Sequence, residues 1–272
     1  MYEEYWKLKI RPFKNTSDTG LFYHSSQHDE ALMKLTYAIN ENLSGAMLTG
    51  DYGCGKTMIS RMLLAGIGPG HKASLCVARP DMTSVDLLRA IARQVTGREY
   101  PVERSQLVVD ALFESMERAF TENVRDGKHN VVLIDEAHMI TDLPVLEMIR
   151  SLLNFQSDDQ FMVTLLLFGH PELAERVSQV KQLAQRIPVT CRLTHFDRED
   201  TIGYVRSRLM MAGRPDGPFT DDALNLIFRN SGGIPRRVNT ICDVSLALGF
   251  AQRVTRVDSG VVMEASETFG VI

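Results

Sequence analysis

The sequence predicts an α/β protein in which a parallel sheet lies between helices and a wholly helical domain follows. Three observations support this fold. Short apolar runs alternate with stretches of helical periodicity. Two of the runs, Val131–Ile134 and Phe161–Phe168, are apolar without interruption, which is typical of strands buried on both faces of a parallel sheet. No strand signal appears from Asp197 onward, so we expect two domains, 1–196 and 197–272.

The first half of the chain predicts four helices and two strands before the run at Val131. In the last of these helices, Val108, Leu112, Met116 and Phe120 recur every fourth residue along one side. We expect a helix starting near His28 after a cap at Ser25 or Ser26, a strand at 46–49, a helix at 58–64, a strand at 73–78, a helix capped by Asp81, Thr83 or Ser84, a helix at 105–123 and a turn at 126–130.

The second half of the chain continues the alternation and then becomes helical. Segments rich in glycine and proline, 213–218 and 231–235, separate the predicted helices of the second domain. We expect helices at 143–155 and 172–182, a strand at 187–193, helices near 198–212, 220–230 and 236–250, and a short last helix after Asp258.

The segment Gly50–Thr57 matches the phosphate-binding pattern G-x-x-x-x-G-K-[ST] between a predicted strand and a predicted helix. That context lets backbone N–H groups and a helix N-terminus hold phosphate charge. We expect Lys56 to reach the β- and γ-phosphates and the Thr57 hydroxyl to bind Mg²⁺. A glycine-rich turn with a surface lysine is the alternative. The residues expected to contact a nucleoside triphosphate are Gly50, Asp51, Tyr52, Gly53, Cys54, Gly55, Lys56, Thr57 and Met58.

Two carboxylates, Asp135 and Glu136, follow the buried strand Val131–Ile134. The carboxyl ends of strands are where open α/β sheets bind ligands. Asp135 suits a residue that holds Mg²⁺ directly or through water, and Glu136 suits a base that orients the attacking water. The alternative is a strand that ends in a polar turn, which the phosphate-binding pattern upstream disfavours.

Composition indicates a soluble protein of the cytoplasm, or the cytoplasmic part of a longer protein. Net charge is −4, which gives no global attraction to nucleic acid or to an acidic membrane. The four cysteines form no C-x-x-C pair, so the sequence predicts neither a zinc site of that type nor a disulfide framework. Free thiols fit a reducing compartment. No apolar run approaches the roughly 20 residues that span a bilayer.

Five segments in this order resemble an AAA+ ATPase: Gly50–Thr57, Asp135-Glu136, Gly169-His170, Leu183–Arg186 and Gly233–Arg236. The resemblance implies the AAA+ P-loop NTPase fold, with 1–196 as the nucleotide-binding domain and 197–272 as a helical lid. Over nearly the whole chain, the sequence is more narrowly similar to the GspA/ExeA-like group of secretion-associated ATPases. That likeness rests on Arg11-Pro-Phe13, Gly169–Leu173, Leu183–Ile187, Tyr204–Leu209 with Ala212-Gly213, and Ser231–Arg236 with Asn239.

The resemblance implies ATP and Mg²⁺ as cofactors and gives roles to residues that spacing cannot assign. His170 falls at the sensor-1 position, where related sequences often carry glutamine, and would contact the γ-phosphate or the water. Arg236 falls at the sensor-2 position of the lid, beside Arg237, and Arg186 is the candidate arginine finger. The alternatives are a structural histidine and a solvated arginine at a helix end. Arg11-Pro-Phe13 is expected to help form the adenine pocket. The predicted catalytic set is Lys56, Glu136, His170, Arg186 and Arg236.

Three functions share these residues. The first is a homo-oligomeric ATPase, a ring or filament with nucleotide at subunit interfaces, that assembles or remodels a secretion-type machine of the cell envelope with a protein partner. The second is a DNA-associated regulator of transposition that resembles TnsC, for which the acidic balance is unfavourable and the nearest basic cluster is Arg89, Arg93 and Arg98. The third is a nucleotide-gated scaffold with negligible turnover, which an intact Asp135-Glu136 pair disfavours.

Overall fold

The computed structural model describes residues 2–103, 108–156 and 160–268, and these form two compact units. One unit, called the sheet unit below, comprises 27–50 and 59–193. The other, called the helical unit, comprises the N-terminal residues to Ser26, the loop Asp51–Met58 and the chain from Thr194 onward. Each has its own hydrophobic core.

The sheet unit contains five parallel strands in the order β2-β3-β4-β1-β5. The strands are β1 Gly45–Gly50, β2 His71–Val77, β3 His129–Asp135, β4 Val163–Gly169 and β5 Val189–Leu193. The helices are α1 Ser26–Asn40, α2 Lys56–Gly66, α3 Ser84–Thr96, α4 Val109–Arg125, α5 Leu143–Leu152, α6 Glu172–Gln179 and α7 Lys181–Ala184. The predicted parallel sheet among helices is confirmed.

The three central strands are buried along their whole length. Every residue of β1, β3 and β4 is buried, as expected of strands covered on both faces. Apolar residues of α3, among them Leu87, Leu88 and Ile91, belong to the same core as strand residues such as Leu165. The uninterrupted apolar runs in the sequence therefore mark the middle of the sheet.

The register aligns the carboxyl ends of the central strands. Thr49 of β1 pairs with Gly169 of β4, and Ile134 of β3 pairs with Leu167 of β4. Because the strands are parallel, β1, β3 and β4 end at one edge of the sheet. Strand β4 lies between β3 and β1.

Strand β3 begins earlier than predicted, because His129 and Asn130, assigned to a turn from sequence, are its first two residues. Their polar groups are paired inside the sheet unit. The His129 Nε2 and Thr164 Oγ1 atoms are 2.8 Å apart, and Asn130 Nδ2 donates to the Met162 carbonyl at 2.8 Å. Buried polar groups are tolerated when they are hydrogen-bonded, so these residues can enter a buried strand.

His129 makes stability depend on pH. Burial lowers its pKa from 6.5 to about 4. As pH falls below about 6.5 the unfolded chain takes up this proton before the folded chain does, so stability is lost between pH 6.5 and about 4. We expect the free energy of unfolding to fall by about 2 kcal/mol more in wild type than in His129→Gln between about pH 7.5 and pH 5. Denaturant titrations measure this difference, and equal losses in the two proteins would contradict it.

Two predicted helices, 143–155 and 172–182, do not run over their full predicted lengths. Helix α5 ends at Leu152 rather than at 155. The predicted helix 172–182 is two helices, α6 and α7, because Val180 between them has non-helical torsion angles, φ −98° and ψ 80°. The predicted start of α4 at Ser105 lies outside the described residues, and the described helix begins at Val109.

The C-terminal part of the helical unit consists of helices joined by loops, as predicted, with an isolated β-bridge between Phe219 and Val257. Its helices are α8 Arg198–Met211, α9 Asp221–Ser231, α10 Pro235–Ala251 and α11 Ser259–Thr268. None of the helices in the described ranges combines the length and apolar character needed to cross a membrane.

The N-terminal residues pack with these C-terminal helices. Trp6 is buried, and its indole Nε1 donates to the Leu246 carbonyl at 2.8 Å. The buried Arg208 guanidinium on α8 donates to the carbonyls of Pro12 at 2.6 Å, Leu21 at 3.1 Å and Lys14 at 3.2 Å. The sequence-based division into domains 1–196 and 197–272 does not anticipate this packing, and that division stays a prediction.

Candidate functional site

The glycine-rich loop after β1 is a closed turn in the helical unit. Gly53 and Gly55 have φ of +76° and +99°, a conformation that side chains with a Cβ rarely adopt. Lys56 opens α2 and is only 7% exposed. Its ammonium group donates to the Asp51 carbonyl at 2.9 Å. The glycines, the lysine and the helix N-terminus required of a phosphate cradle are therefore brought together.

Gly53 lets this loop contact the start of α10. A Cβ at position 53 would lie 3.0 Å from both Arg236 Cβ and Ile234 Cγ2. Glycine avoids that crowding, so the loop backbone reaches the first turn of the helix. The structure thus places Arg236, the predicted sensor-2 residue, beside the predicted phosphate-binding loop. The Arg236 and Arg237 side chains are both exposed.

The remaining loop side chains differ in exposure. Tyr52 is 63% exposed, whereas Cys54 is fully buried, and burial raises the pKa of its thiol to about 11. The thiol therefore stays neutral near pH 7. Thr57 and Met58 are half-buried. Gly50 ends β1 in the sheet unit, where a Cβ would come within 2.8 Å of the Leu193 carbonyl oxygen.

The segment Arg11-Pro-Phe13, predicted to help form the adenine pocket, is fixed within the helical unit. Phe13 is buried, and Arg11 pairs with Asp243 at 2.5 Å between Nη2 and Oδ2. Arg208 holds the Pro12 carbonyl. The segment is thus bound to α8 and α10, two helices of the predicted lid 197–272.

The two predicted carboxylates lie at the end of β3 in the sheet unit. Asp135 is 5% exposed, and its Oδ1 accepts a hydrogen bond from the Glu136 N–H at 2.9 Å. Glu136 has φ of +54°, in the left-handed region that glycine favours. Such a backbone costs about 1–3 kcal/mol and tends to occur at functional sites. The predicted base therefore occupies a strained turn.

Glu136 contacts a pair of histidines. Its Oε2 lies 3.4 Å from His138 Nδ1, and the His138 ring stacks on the His170 ring with centroids 3.8 Å apart and planes 7° from parallel. His170 follows β4, so the structure brings the predicted base and the predicted sensor-1 residue to one cluster. No role for His138 was predicted from the sequence. The available signal was its position two residues after Glu136.

Backbone contacts in the sheet unit fix this turn. A Cβ at Gly169 would come 2.9 Å from the His138 nitrogen, so only glycine allows the end of β4 to approach so closely. Arg176 of α6 donates to the carbonyl oxygens of His138 and of Ile140, the latter at 3.2 Å. Hydrogen bonds from Arg176 and close packing against Gly169 therefore fix the backbone around His138.

Arg186 lies in the turn between α7 and β5, as predicted. Its guanidinium donates to the Leu153 carbonyl, and its own carbonyl accepts from Ser44 Oγ at 2.8 Å. The side chain is half-buried. These contacts are structural and lie within the sheet unit, and the role of Arg186 as an arginine finger stays a prediction.

The residues predicted to bind the nucleotide and Mg²⁺ have suitable chemistry. The glycine cradle and the amine of Lys56 suit an anionic phosphate. The Thr57 hydroxyl and the Asp135 carboxylate are oxygen donors, which Mg²⁺ prefers. The donor chemistry therefore fits a nucleotide with Mg²⁺.

Comparisons with known proteins agree with the predicted fold. A family model described as an AAA domain matches residues 41–177. The chain is 35% identical over 275 residues to General secretion pathway protein A of Aeromonas hydrophila, a match that covers 100% of this chain and 49% of the relative. The chain thus spans about half the length of that relative. This match confirms the resemblance to the GspA/ExeA-like group.

Two solved structures from Aeropyrum pernix share the fold. The ORC2 protein, described as ADPNP-ADP complexes, is 15% identical with a TM-score of 0.68 and covers 95% of this chain and 71% of that one. The ORC1 protein in complex with DNA is 17% identical with a TM-score of 0.70 and covers 97% of this chain and 69% of that one. At these identities the likeness concerns the fold alone.

Proposed function

The chain belongs to the AAA domain family, and from that premise we propose that it binds ATP with Mg²⁺ and hydrolyses it. The observation that carries this proposal is the loop Asp51–Met58, in which two glycines at positive φ, a buried lysine and the start of α2 form a phosphate cradle against the Arg236 helix. The ADPNP-ADP complexes of the ORC2 protein, which shares the fold, support the choice of nucleotide.

Each predicted residue has a distinct role in this proposal. Lys56 places a cation against the β- and γ-phosphates, and Thr57 with Asp135 would hold Mg²⁺. The metal, when bound, neutralises phosphate charge. Glu136 accepts a proton from the attacking water and orients that water toward the γ-phosphate. Water then bonds to the γ-phosphorus, the bond to the β,γ-bridging oxygen breaks, and ADP leaves with inorganic phosphate.

Two further side chains are proposed to sense the γ-phosphate. Arg236 is exposed at the first turn of α10, beside the loop, where its permanent charge can pair with phosphate oxygens. The His170 ring stacks on the His138 ring, and His138 lies beside the Glu136 carboxylate. Loss of the γ-phosphate would therefore affect the base through His170 and then His138.

We propose that turnover is coupled to assembly or remodelling of a secretion-type machine of the cell envelope. The similarity to General secretion pathway protein A supports this assignment. In this proposal the protein acts in the cytoplasm as a homo-oligomer, with nucleotide at subunit interfaces and a protein partner in the envelope system.

The second candidate is an ATPase regulator that assembles on DNA. The ORC1 protein, which shares the fold, was solved in complex with DNA. The basic cluster of Arg89, Arg93 and Arg98 gives little support, because Arg89 lies 3.9 Å from an Asp86 carboxylate oxygen and Arg93 lies 3.9 Å from one of Glu99. Because the chain has a net charge of −4, it has no overall attraction to DNA, and we favour the secretion-type role.

One experiment separates these functions. Phosphate release from ATP is measured with and without duplex DNA over a range of salt concentrations. The favoured function requires Mg²⁺-dependent turnover that DNA leaves unchanged. Stimulation by DNA that fades steeply with salt would instead support the second candidate, since phosphate contacts release counterions. ATP binding without turnover would support a nucleotide-gated scaffold.

Arg186→Ala is expected to bind ATP nearly normally and to lose most of its turnover. In the proposed oligomer Arg186 completes the site of the neighbouring subunit and stabilises transition-state charge there. Steady-state rates across protein concentration measure this effect, because a residue supplied by a neighbour makes turnover rise steeply as subunits associate. Arg192→Ala, which removes an exposed arginine of β5, is the matched control.

Mixing two inactive variants distinguishes the finger from a structural arginine. Arg186→Ala and Lys56→Ala chains that co-assemble can pair an intact loop with an intact Arg186, so some activity should return. If the Leu153 contact is the whole role of Arg186, the variant will lose thermal stability and the mixture will stay inactive.

A further inference from the structure

We propose that Glu136, His138 and His170, residues other than the proposed Mg²⁺ ligands, form a binding site for Zn²⁺. We further infer that Zn²⁺ bound there stops ATP hydrolysis. The second statement rests on the proposed function, in which Glu136 is the base. The first does not, because it depends only on the geometry and chemistry of the three side chains.

The separations within the cluster suit a single small ion. One candidate ligand atom from each of the three residues lies within 4.8 Å of the others. Zinc bonds to nitrogen and oxygen are about 2.0–2.2 Å, so two ligands of a tetrahedral ion stand about 3.3–3.5 Å apart. The 3.4 Å between Glu136 Oε2 and His138 Nδ1 matches one edge of that tetrahedron. The stacked His170 ring must rotate to point a nitrogen at the same position.

The donor set selects against Mg²⁺. Two imidazoles and one carboxylate, with a fourth position open to solvent, form a common zinc ligand set. Mg²⁺ prefers oxygen ligands in octahedral geometry. All three side chains are half-buried and the Glu136 Oε2 and His138 Nδ1 atoms are themselves buried, so water competes less for an ion here than at an exposed site. A millimolar excess of Mg²⁺ should therefore leave Zn²⁺ in place.

The backbone turn that carries Glu136 and His138 is fixed by contacts with the rest of the sheet unit. Arg176 binds two carbonyl oxygens of the turn, and Gly169 lets the end of β4 approach the His138 nitrogen closely. A metal site needs its ligands supported in this way by the surrounding structure. Binding would then reorder side chains and leave the backbone where it is.

Occupancy would remove the base from the reaction. A Zn²⁺ ion bonded to Glu136 Oε2 takes the electron pair that would otherwise accept the proton of the attacking water. The cation also withdraws charge from the carboxylate, which makes it a weaker base. Hydrolysis should stop while ATP binding continues, and removal of Zn²⁺ should restore turnover.

The proposed binding of Zn²⁺ is tested on the tag-free chain without nucleotide. Zn²⁺ is titrated in competition with a chromophoric chelator, in the presence of excess Mg²⁺. We expect about one strongly bound Zn²⁺ per chain, and at least about tenfold weaker binding in each of His138→Gln and His170→Gln. His24→Gln, which removes an exposed histidine elsewhere, is the control and should bind like wild type. The four cysteines are buried and should not contribute.

Wild-type affinity in both His138→Gln and His170→Gln would overturn the site. So would loss of binding in His24→Gln, or displacement of Zn²⁺ by Mg²⁺. Circular dichroism melts of each variant exclude unfolding as the cause of weaker binding. Because the two substitutions lie on different segments, parallel weakening in folded variants supports a shared ion.

The inhibitory half is tested with Mg-ATP at a buffered concentration of free Zn²⁺. We expect phosphate release to stop as the site fills and to return when a zinc-selective chelator is added, with ATP binding retained throughout. Full activity of a Zn²⁺-loaded chain would overturn inhibition while the binding result still stands. Absence of hydrolysis before any Zn²⁺ is added would contradict the proposed function and leave the site to be judged on binding.

Discussion

Replacing Lys56 by alanine should abolish or greatly weaken nucleotide binding, with ATP affinity lower by about a hundredfold or more. The lysine is buried at the start of α2, and its ammonium lies against the loop carbonyl of Asp51. Alanine removes the cation closest to the phosphates, and a hydrogen bond to a charged group contributes about 1.5–3 kcal/mol. The lysine also attracts the phosphate charges without a direct hydrogen bond, so we expect the loss of ATP affinity to reach about a hundredfold.

Titration with a fluorescent ATP analogue measures this affinity directly. Lys72→Ala removes an exposed lysine from β2 and serves as the matched control, with wild-type affinity expected. Circular dichroism establishes that both variants are folded. Wild-type affinity in a folded Lys56→Ala chain would show that the loop does not bind the phosphates.

Glu136→Gln should retain ATP but hydrolyse it about a hundredfold more slowly, or slower still. Glutamine keeps the size and hydrogen-bonding capacity of the side chain yet cannot accept the proton of the attacking water. A positioned general base contributes about 10²–10⁴-fold to such a rate. The Glu136 carboxylate lies 3.4 Å from His138 Nδ1, at the end of the buried strand β3.

Single-turnover phosphate release and nucleotide titration together separate the chemical step from binding. Asp135→Asn should differ from Glu136→Gln by weakening Mg²⁺-dependent binding as well. Glu175→Gln, an exposed substitution on α6, should behave like wild type. Normal hydrolysis by Glu136→Gln would require a different residue to orient the water.

Strands buried on both faces could be predicted from sequence because their apolar runs are uninterrupted. The central part of β3 and nearly all of β4 follow from that signal. The first residues of β3 could not be predicted, since His129 and Asn130 are polar and their partners in the folded chain include Thr164 and Met162, 35 and 32 residues away. Periodicity within a short window carries no information about such partners.

The sequence did not predict the packing of the N-terminal residues on the C-terminal helices. The N-terminal segment lies against the C-terminal helices because Trp6 and the carbonyls around Pro12 find partners on α8 and α10. A charged residue such as Arg208, on a helix of mixed polarity, gives no sequence sign that it is buried and bound to three carbonyls. Only the folded chain reveals it.

The candidate site was predicted as a set of segments and less completely as a set of contacts. The loop motif indicates Lys56 and its glycines, because their spacing follows from phosphate geometry. The contact between Gly53 and the Arg236 helix depends on the folded helical unit. His138 was missed because its importance comes from stacking on His170, which belongs to a different strand end.

Phosphate release from ATP by the wild-type chain, compared with Lys56→Ala in the same preparation, tests the central claim most directly. Both proteins are assayed tag-free, with Mg²⁺ and with Mg²⁺ removed by chelation. The account predicts release that requires Mg²⁺, is retained by Lys72→Ala and is absent from Lys56→Ala. Equal release by wild type and Lys56→Ala, or release that persists without Mg²⁺, would contradict it.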